Sequence, residues 1–238
     1  MRRAARHLGL GLTLSVALIG GALITAGVTA GEVQATGTIR GVVRMEDPPA
    51  PSVLSVNADQ AVCGDTVPNE EIVADADGRV ANAVIRLVGV AWPEGVAPPK
   101  IDNIGCQFVP HVQIAPTRSM LLVTSQDETL HSTHSYDDRQ RTDFNIAMPF
   151  SGMEVNRPLR RPGVVRIECD SHGWMRAWIV VSNDLGAVSG AEGAFFIGQV
   201  PAGTHKVTIW HEVLGAVPQT VTVEAGQTTE VEFILASQ

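Results

Sequence analysis

Beyond residue 36 the apolar residues of this chain fall in short runs rich in Val and Ile, cut at close intervals by Gly, Pro, Asn and Asp. Such runs have strand length, β-branched side chains suit a pleated surface, and the breakers supply turns. No segment sustains a 3.6-residue period. The chain is therefore expected to be all-β, with strands at Gly37–Arg44, Val80–Gly89, Met120–Thr124, Val164–Cys169, Ala177–Val181, Ala194–Ile197, Lys206–Trp210, Gln219–Val223 and Thr229–Leu235. Pro48 to Pro51 and Pro93 to Pro99 are expected to be rigid connectors, because proline donates no ladder hydrogen bond. In Val164–Cys169, alternation puts Val165, Ile167 and Cys169 on one face and Arg166 and Glu168 on the other. Cys169 thus points inward from a strand end.

The first thirty residues differ in kind. Arg2, Arg3 and Arg6 precede an apolar run from Leu8 to about Ala26, and Val28-Thr29-Ala30 offers small residues for cleavage. Residues 1–30 are expected to be a signal peptide cleaved after Ala30, which places the mature protein in the periplasm or outside the cell. An uncleaved anchor is the other reading, since the run approaches the ~20 residues that span a bilayer. Removing the three arginines lowers Lys plus Arg from 17 to 14 against 25 acidic residues, a balance of about −11. That charge argues against nucleic acid as a partner. Arg139, Arg141, Arg157, Arg160, Arg161 and Arg166 gather in one short region, either as a solvated face or as a docking patch for an acidic redox partner.

The chemistry concentrates in Cys169-Asp170-Ser171-His172-Gly173-Trp174-Met175. A thiol, an imidazole and a thioether stand at i, i+3 and i+6. Cysteine thiolate, two imidazoles and a weak axial methionine are the ligand set of a blue-copper electron-transfer site. The fourth donor must come from a distant strand, so that it cannot drift with the loop. His131, after Met120–Thr124 and a turn, is preferred over His134, since alternation puts the two on opposite faces. Met148 and Met153 compete with Met175 but are not tethered to the loop. Trp174 is expected to shield the site from water. His211, in Trp210-His211-Glu212, is expected to serve structural hydrogen bonding.

An odd cysteine in an exported chain requires an explanation. Copper would protect Cys169, leaving Cys63 and Cys106 to form a disulfide that closes a loop of about 44 residues, worth ~3–4 kcal/mol. The opposing reading has Cys106 and His111 holding a second metal.

At these residues the chain resembles the cupredoxins, and the C-x2-H-x2-M spacing looks most like the amicyanin branch. His131-x-x-His134 is similar to that branch's His-Asn-x-His segment. The resemblance implies a Greek-key β-sandwich with one type 1 copper on His131, Cys169, His172 and Met175. Ser132 departs from it, standing where many cupredoxins have an asparagine that braces the ligand loops. Glu192-Gly193-x-Phe-x-Ile followed by Val-Pro-x-Gly-x-x-x-Val resembles the carboxypeptidase regulatory-like, or transthyretin-like, modules. The combination, with Cys-x-Phe-x-Pro-His and Trp-His-Glu, is similar to exported proteins labelled methylamine utilization protein.

The implied organisation is a copper domain over residues 37–183 and a regulatory-like module over 184–238. That tail is too short for a comfortable sandwich. The strands of 37–99 are therefore left open to either domain. The implied activity is single-electron carriage between protein redox partners, without catalysis, because the four donors saturate copper. A membrane enters only through the anchor reading. A copper-binding or storage protein, and a metal-free carbohydrate-binding or adhesion module, are the alternatives.

Overall fold

Alternating burial, imposed by the two-residue repeat of a strand, organises the protein. The structure, a computed structural model, describes residues 35–216 and 218–237. The expected signal segment, residues 1–30, lies outside the described residues. Nearly every element is a strand, so the fold is all-β.

The first sandwich is contiguous from β5 (Lys100–Ile104) to β13 (Arg176–Ser182). Between them lie β6 (Gln107–Val109), β7 (Val112–Pro116), β8 (Met120–Ser125), β9 (His131–Tyr136), β10 (Thr142–Met148), β11 (Glu154–Pro158) and β12 (Gly163–Glu168). One sheet runs β10-β9-β12-β13-β7 and the other β11-β8-β5-β6. The pairs β7–β13 and β5–β8 are parallel, so each sheet contains a crossover. Ile101, Phe108, Leu121 and Val123 of one sheet meet Ile146, Met148, Ile167, Ala177 and Ile179 of the other in a single core. On the outer face of β12, Arg166 reaches Glu168 at 3.1 Å and lies over the Tyr136 ring.

A short hairpin, β2 (Val53–Ser55) with β3 (Thr66–Pro68), flanks this sandwich, with the one-turn helix α1 (Gln60–Cys63) between its strands. Val56 and Val67 sink into the same core, and Cys63 is disulfide-bonded to Cys106.

The second sandwich draws on both ends of the chain. β1 (Thr36–Met45) lies between β15 (Ala194–Pro201) and β19 (Thr228–Ser237), and β19 also pairs with β17 (Leu214–Gly215). The facing sheet orders β14 (Asp184–Val188), β4 (Val84–Ala91), β16 (Gly203–Trp210) and β18 (Gln219–Val223). Thus β1 and β4 pair with strands after residue 183, and the core holds Ile39, Val43, Ile85 and Leu87 beside Phe195, Val207 and Phe233. The strands of 37–99 that belong to a large sheet sit here, and the contiguous part of the first sandwich starts at Lys100 rather than residue 37.

A seam joins the sandwiches. Val84, Val112 and Val180 are buried together, and Trp178 meets Trp210 edge-on at 5.6 Å. Beside them His111 Nδ1–H donates to the Arg176 carbonyl at 3.0 Å, and Nε2–H donates to Glu212. Trp178 Nε1–H also donates to Glu212, at 2.8 Å. Burial alone would depress the His111 pKa, but Glu212 and Glu70 outweigh it and the net direction is upward. A raised histidine stabilises the fold fully below the unfolded value of ~6.5, and that contribution is lost as pH rises through the folded value. Urea midpoints should therefore fall as pH rises above about 6.5. Glu212→Gln should flatten that slope and lower stability most at the acidic end.

Candidate metal centre

Two loops and two strand ends meet at one pole of the first sandwich. β12 ends by pointing Cys169 inward, β9 begins with His131, and the loop after Cys169 turns His172 back over its sulfur. Cys169 Sγ lies 3.9 Å from His131 Nδ1 and 3.6 Å from His172 Nδ1, and the two Nδ1 atoms are 2.9 Å apart. All three side chains are buried. Donors sharing one ion through bonds of ~2.0–2.3 Å stand 3–4 Å apart, so the spacing fits. Met175 is also buried in this core. Its N–H donates to the His172 carbonyl at 2.9 Å, and its own carbonyl accepts from Cys169 N–H at 3.4 Å, closing the loop.

The outer nitrogens fix which ring atoms carry hydrogen. His131 Nε2–H donates to Asp127 Oδ2 at 3.0 Å, and His172 Nε2–H donates to Asp59 Oδ2 at 2.8 Å. A neutral imidazole with hydrogen on Nε2 presents a lone pair at Nδ1. Burial first, and then the neighbouring His172, push the His131 pKa down, which favours the neutral ring. The two Nδ1 atoms thus face each other closer than van der Waals contact, with the sulfur just outside contact of both. Only a hydrogen or a cation between them relieves the repulsion, and a soft thiolate with two imidazoles suits copper or zinc.

The remaining contacts steady this set. Ser132 N–H donates to Cys169 Sγ at 3.3 Å, and Ser132 Oγ accepts from Asp170 N–H at 2.6 Å. The short serine therefore braces both loops, the role the resemblance gives to an asparagine, because its backbone lies close enough. Trp174 Nε1–H donates to the Cys106 carbonyl at 3.1 Å, and its ring stands 5.0 Å from that of His172.

Other residues singled out in the sequence go elsewhere. His134 turns to the other face of β9, bonding Asp170 Oδ1 at 2.9 Å and Thr142 Oγ1 at 2.8 Å. Met148, by contrast, stays beside the donors, paired in register with His131 and buried on the same inward face, while Met153 packs at the core edge. Cys106 is committed to the disulfide and His111 to Glu212, so the two do not share a metal. His211 Nδ1 accepts from Val213 N–H at 3.3 Å. Arg139, Arg160 and Arg161 line a cavity at the β9–β10 and β11–β12 turns, the end of the sandwich away from Cys169.

Asp127 and Asp59 carried no sequence signal. Each lies in a polar turn, and only the closed fold brings it to a ring nitrogen. Asp127 Oδ1 also accepts from Gly105 N–H at 2.7 Å, and Oδ2 from Cys106 N–H at 2.8 Å.

No protein-family model matches the chain, and no curated protein matches it. Among solved structures, similar chains include a purple cupredoxin from Nitrosopumilus maritimus at 19% identity, TM-score 0.32, covering 35% of this chain and 99% of that one. An amicyanin variant in its reduced Cu(I) form is 12% identical, TM-score 0.32, covering 41% and 98%. A copper-containing nitrite reductase from Thermus scotoductus SA-01 is 17% identical at TM-score 0.31, covering 40% of this chain and 26% of the reductase.

The contacts of Asp127 yield a test that needs no metal. Asp127→Ala leaves the buried Cys106 N–H, the buried His131 ring N–H and the more exposed Gly105 N–H without their acceptor, and should cost about 3 kcal/mol. Urea unfolding of the metal-free protein measures it, and Asp127→Asn, which keeps one acceptor, should lose less.

Proposed function

We propose that this is an exported copper protein that carries single electrons between protein redox partners. One observation carries the reading: both imidazoles, pinned at Nε2 by carboxylates, turn their Nδ1 atoms toward the sulfur of the single free cysteine among the described residues. His131, Cys169 and His172 would hold the ion, with the Met175 thioether as a weak fourth donor. Bound copper would supply a one-electron couple, Cu(II)/Cu(I).

The chain's own residues do the rest. Asp127, Asp59 and Ser132 hold donors where both oxidation states can use them, so little rearrangement accompanies a change of charge. Burial of all three donors excludes water. With four donors engaged, no position remains for a substrate, which favours a carrier over an enzyme. The Cys63–Cys106 disulfide and the signal-like N-terminus support an oxidising, extracytoplasmic setting. We read the second sandwich, which holds the regulatory-like motif, as a companion module.

Copper added to the oxidised protein should bind one ion per chain and give an intense visible thiolate-to-copper absorption. Cys169→Ser should abolish that band. A colourless Cu(II) complex indifferent to Cys169→Ser would overturn the proposal. Reversible bleaching by reductant at constant copper content is expected of a carrier, whereas metal loss on reduction would favour storage or delivery.

A further inference from the structure

Asp59 reaches the centre from outside the first sandwich. It precedes α1 in the hairpin flap of residues 53–68, in a left-handed conformation at φ 51°. That region is uncommon for a residue other than glycine and tends to persist where surroundings impose it. Aspartate at a helix N-cap ordinarily accepts from the first-turn N–H groups. Here it makes no side-chain cap hydrogen bond. Its carboxylate instead accepts from His172 Nε2–H at 2.8 Å. The helix turn ties Asp59 to Cys63, whose N–H donates to the Asp59 carbonyl at 2.9 Å. Cys63 is bonded to Cys106, whose sulfur lies within 4.8 Å of both a ring nitrogen of His131 and a carboxylate oxygen of Asp127. Cys106 is itself held by Asp127 through its N–H and by Trp174 through its carbonyl. The disulfide therefore connects the residue behind one imidazole to the residue behind the other.

We propose that Asp59 is a positioning residue for His172, and that the Cys63–Cys106 disulfide is the latch that keeps it there. The inference deepens the copper reading and rests on it for the identity of the ion. With the latch closed, Asp59 holds Nδ1 of His172 toward Cys169 and the flap covers the donors. A dithiol reductant opens it: one of its thiolates attacks a sulfur of the pair, releasing the other cysteine, and its second thiol resolves the mixed disulfide. The reductant ends as a disulfide, and Cys63 and Cys106 end as two thiols, with two electrons and two protons transferred. The freed flap withdraws Asp59, and His172 and Cys169 open to metal exchange.

The experiment compares wild type, Asp59→Ala, Asp59→Asn and the double variant Cys63→Ser/Cys106→Ser. In the metal-free oxidised proteins, alkylation of Cys169 by iodoacetamide, read by peptide mass, should be slow in wild type. It should be at least about fivefold faster in Asp59→Ala and in the double variant, as local opening exposes the thiol. Asp59→Asn, whose amide oxygen still accepts from Nε2–H, should restore protection to within about twofold. Transfer of bound Cu(II) to EDTA should quicken about tenfold in the same two variants. Asp59→Ala retains the disulfide, so a double variant that fails to fold does not remove the test. Alkylation rates equal to wild type in Asp59→Ala would overturn the proposal while leaving copper binding intact. A wild type that retains no copper but shows the expected alkylation pattern would overturn the copper reading and leave the latch standing.

Discussion

Everything at the pole of the first sandwich depends on two charge-assisted hydrogen bonds, Asp127 to His131 and Asp59 to His172. Each settles a tautomer, and the tautomer settles which nitrogen is free. Without them the rings could rotate or donate to each other, and three buried polar side chains would be an unexplained cost in an otherwise apolar core. With them, the same three side chains become a preformed donor set whose geometry does not wait for an ion. Asp127 carries the heavier share, because it also satisfies the turn at Gly105 and Cys106 and so fixes the loop that anchors the disulfide.

Much of this was legible in the sequence. Alternation in Val164–Cys169 correctly turned the cysteine inward, and the spacing to His172 placed one imidazole beside it. His131 was separable from His134 because strand periodicity sends them to opposite faces. The strands absent from the expected set include Thr142–Met148, although Phe144, Ile146 and Met148 alternate inward along it, and several polar ones. Lys100–Ile104, His131–Tyr136 and Glu154–Pro158 are rich in polar residues, so they carry no apolar alternation, yet Asp102, Asn103, Ser132 and Thr133 among them are buried. A strand that packs polar side chains inward near a functional pole looks like a loop when only hydrophobicity is counted. The two aspartates were invisible for a different reason: their partners lie in distant segments, joined only by tertiary closure.

The seam between the sandwiches follows a similar logic. Trp178 and Trp210 supply apolar area, but orientation comes from Glu212, which receives one N–H from Trp178 and another from His111. A buried carboxylate with both oxygens occupied is directional in a way that valine contacts are not. The Trp-His-Glu segment that drew notice for its histidine thus matters most for its glutamate.

The parallel pairing of β1 with β19, from Thr38 opposite Thr228 to Met45 opposite Leu235, has a consequence for how the chain is made. A strand near the beginning must wait for one near the end, while the first sandwich between them has every large-sheet strand in one continuous stretch. During synthesis or vectorial passage across a membrane, the inner domain can close early and β15 can cover one edge of β1, but the other edge stays open until β19 emerges. The arrangement makes Thr228–Ser237 a checkpoint for the second sandwich, since without it β1 keeps only β15 beside it and one of its edges stays open.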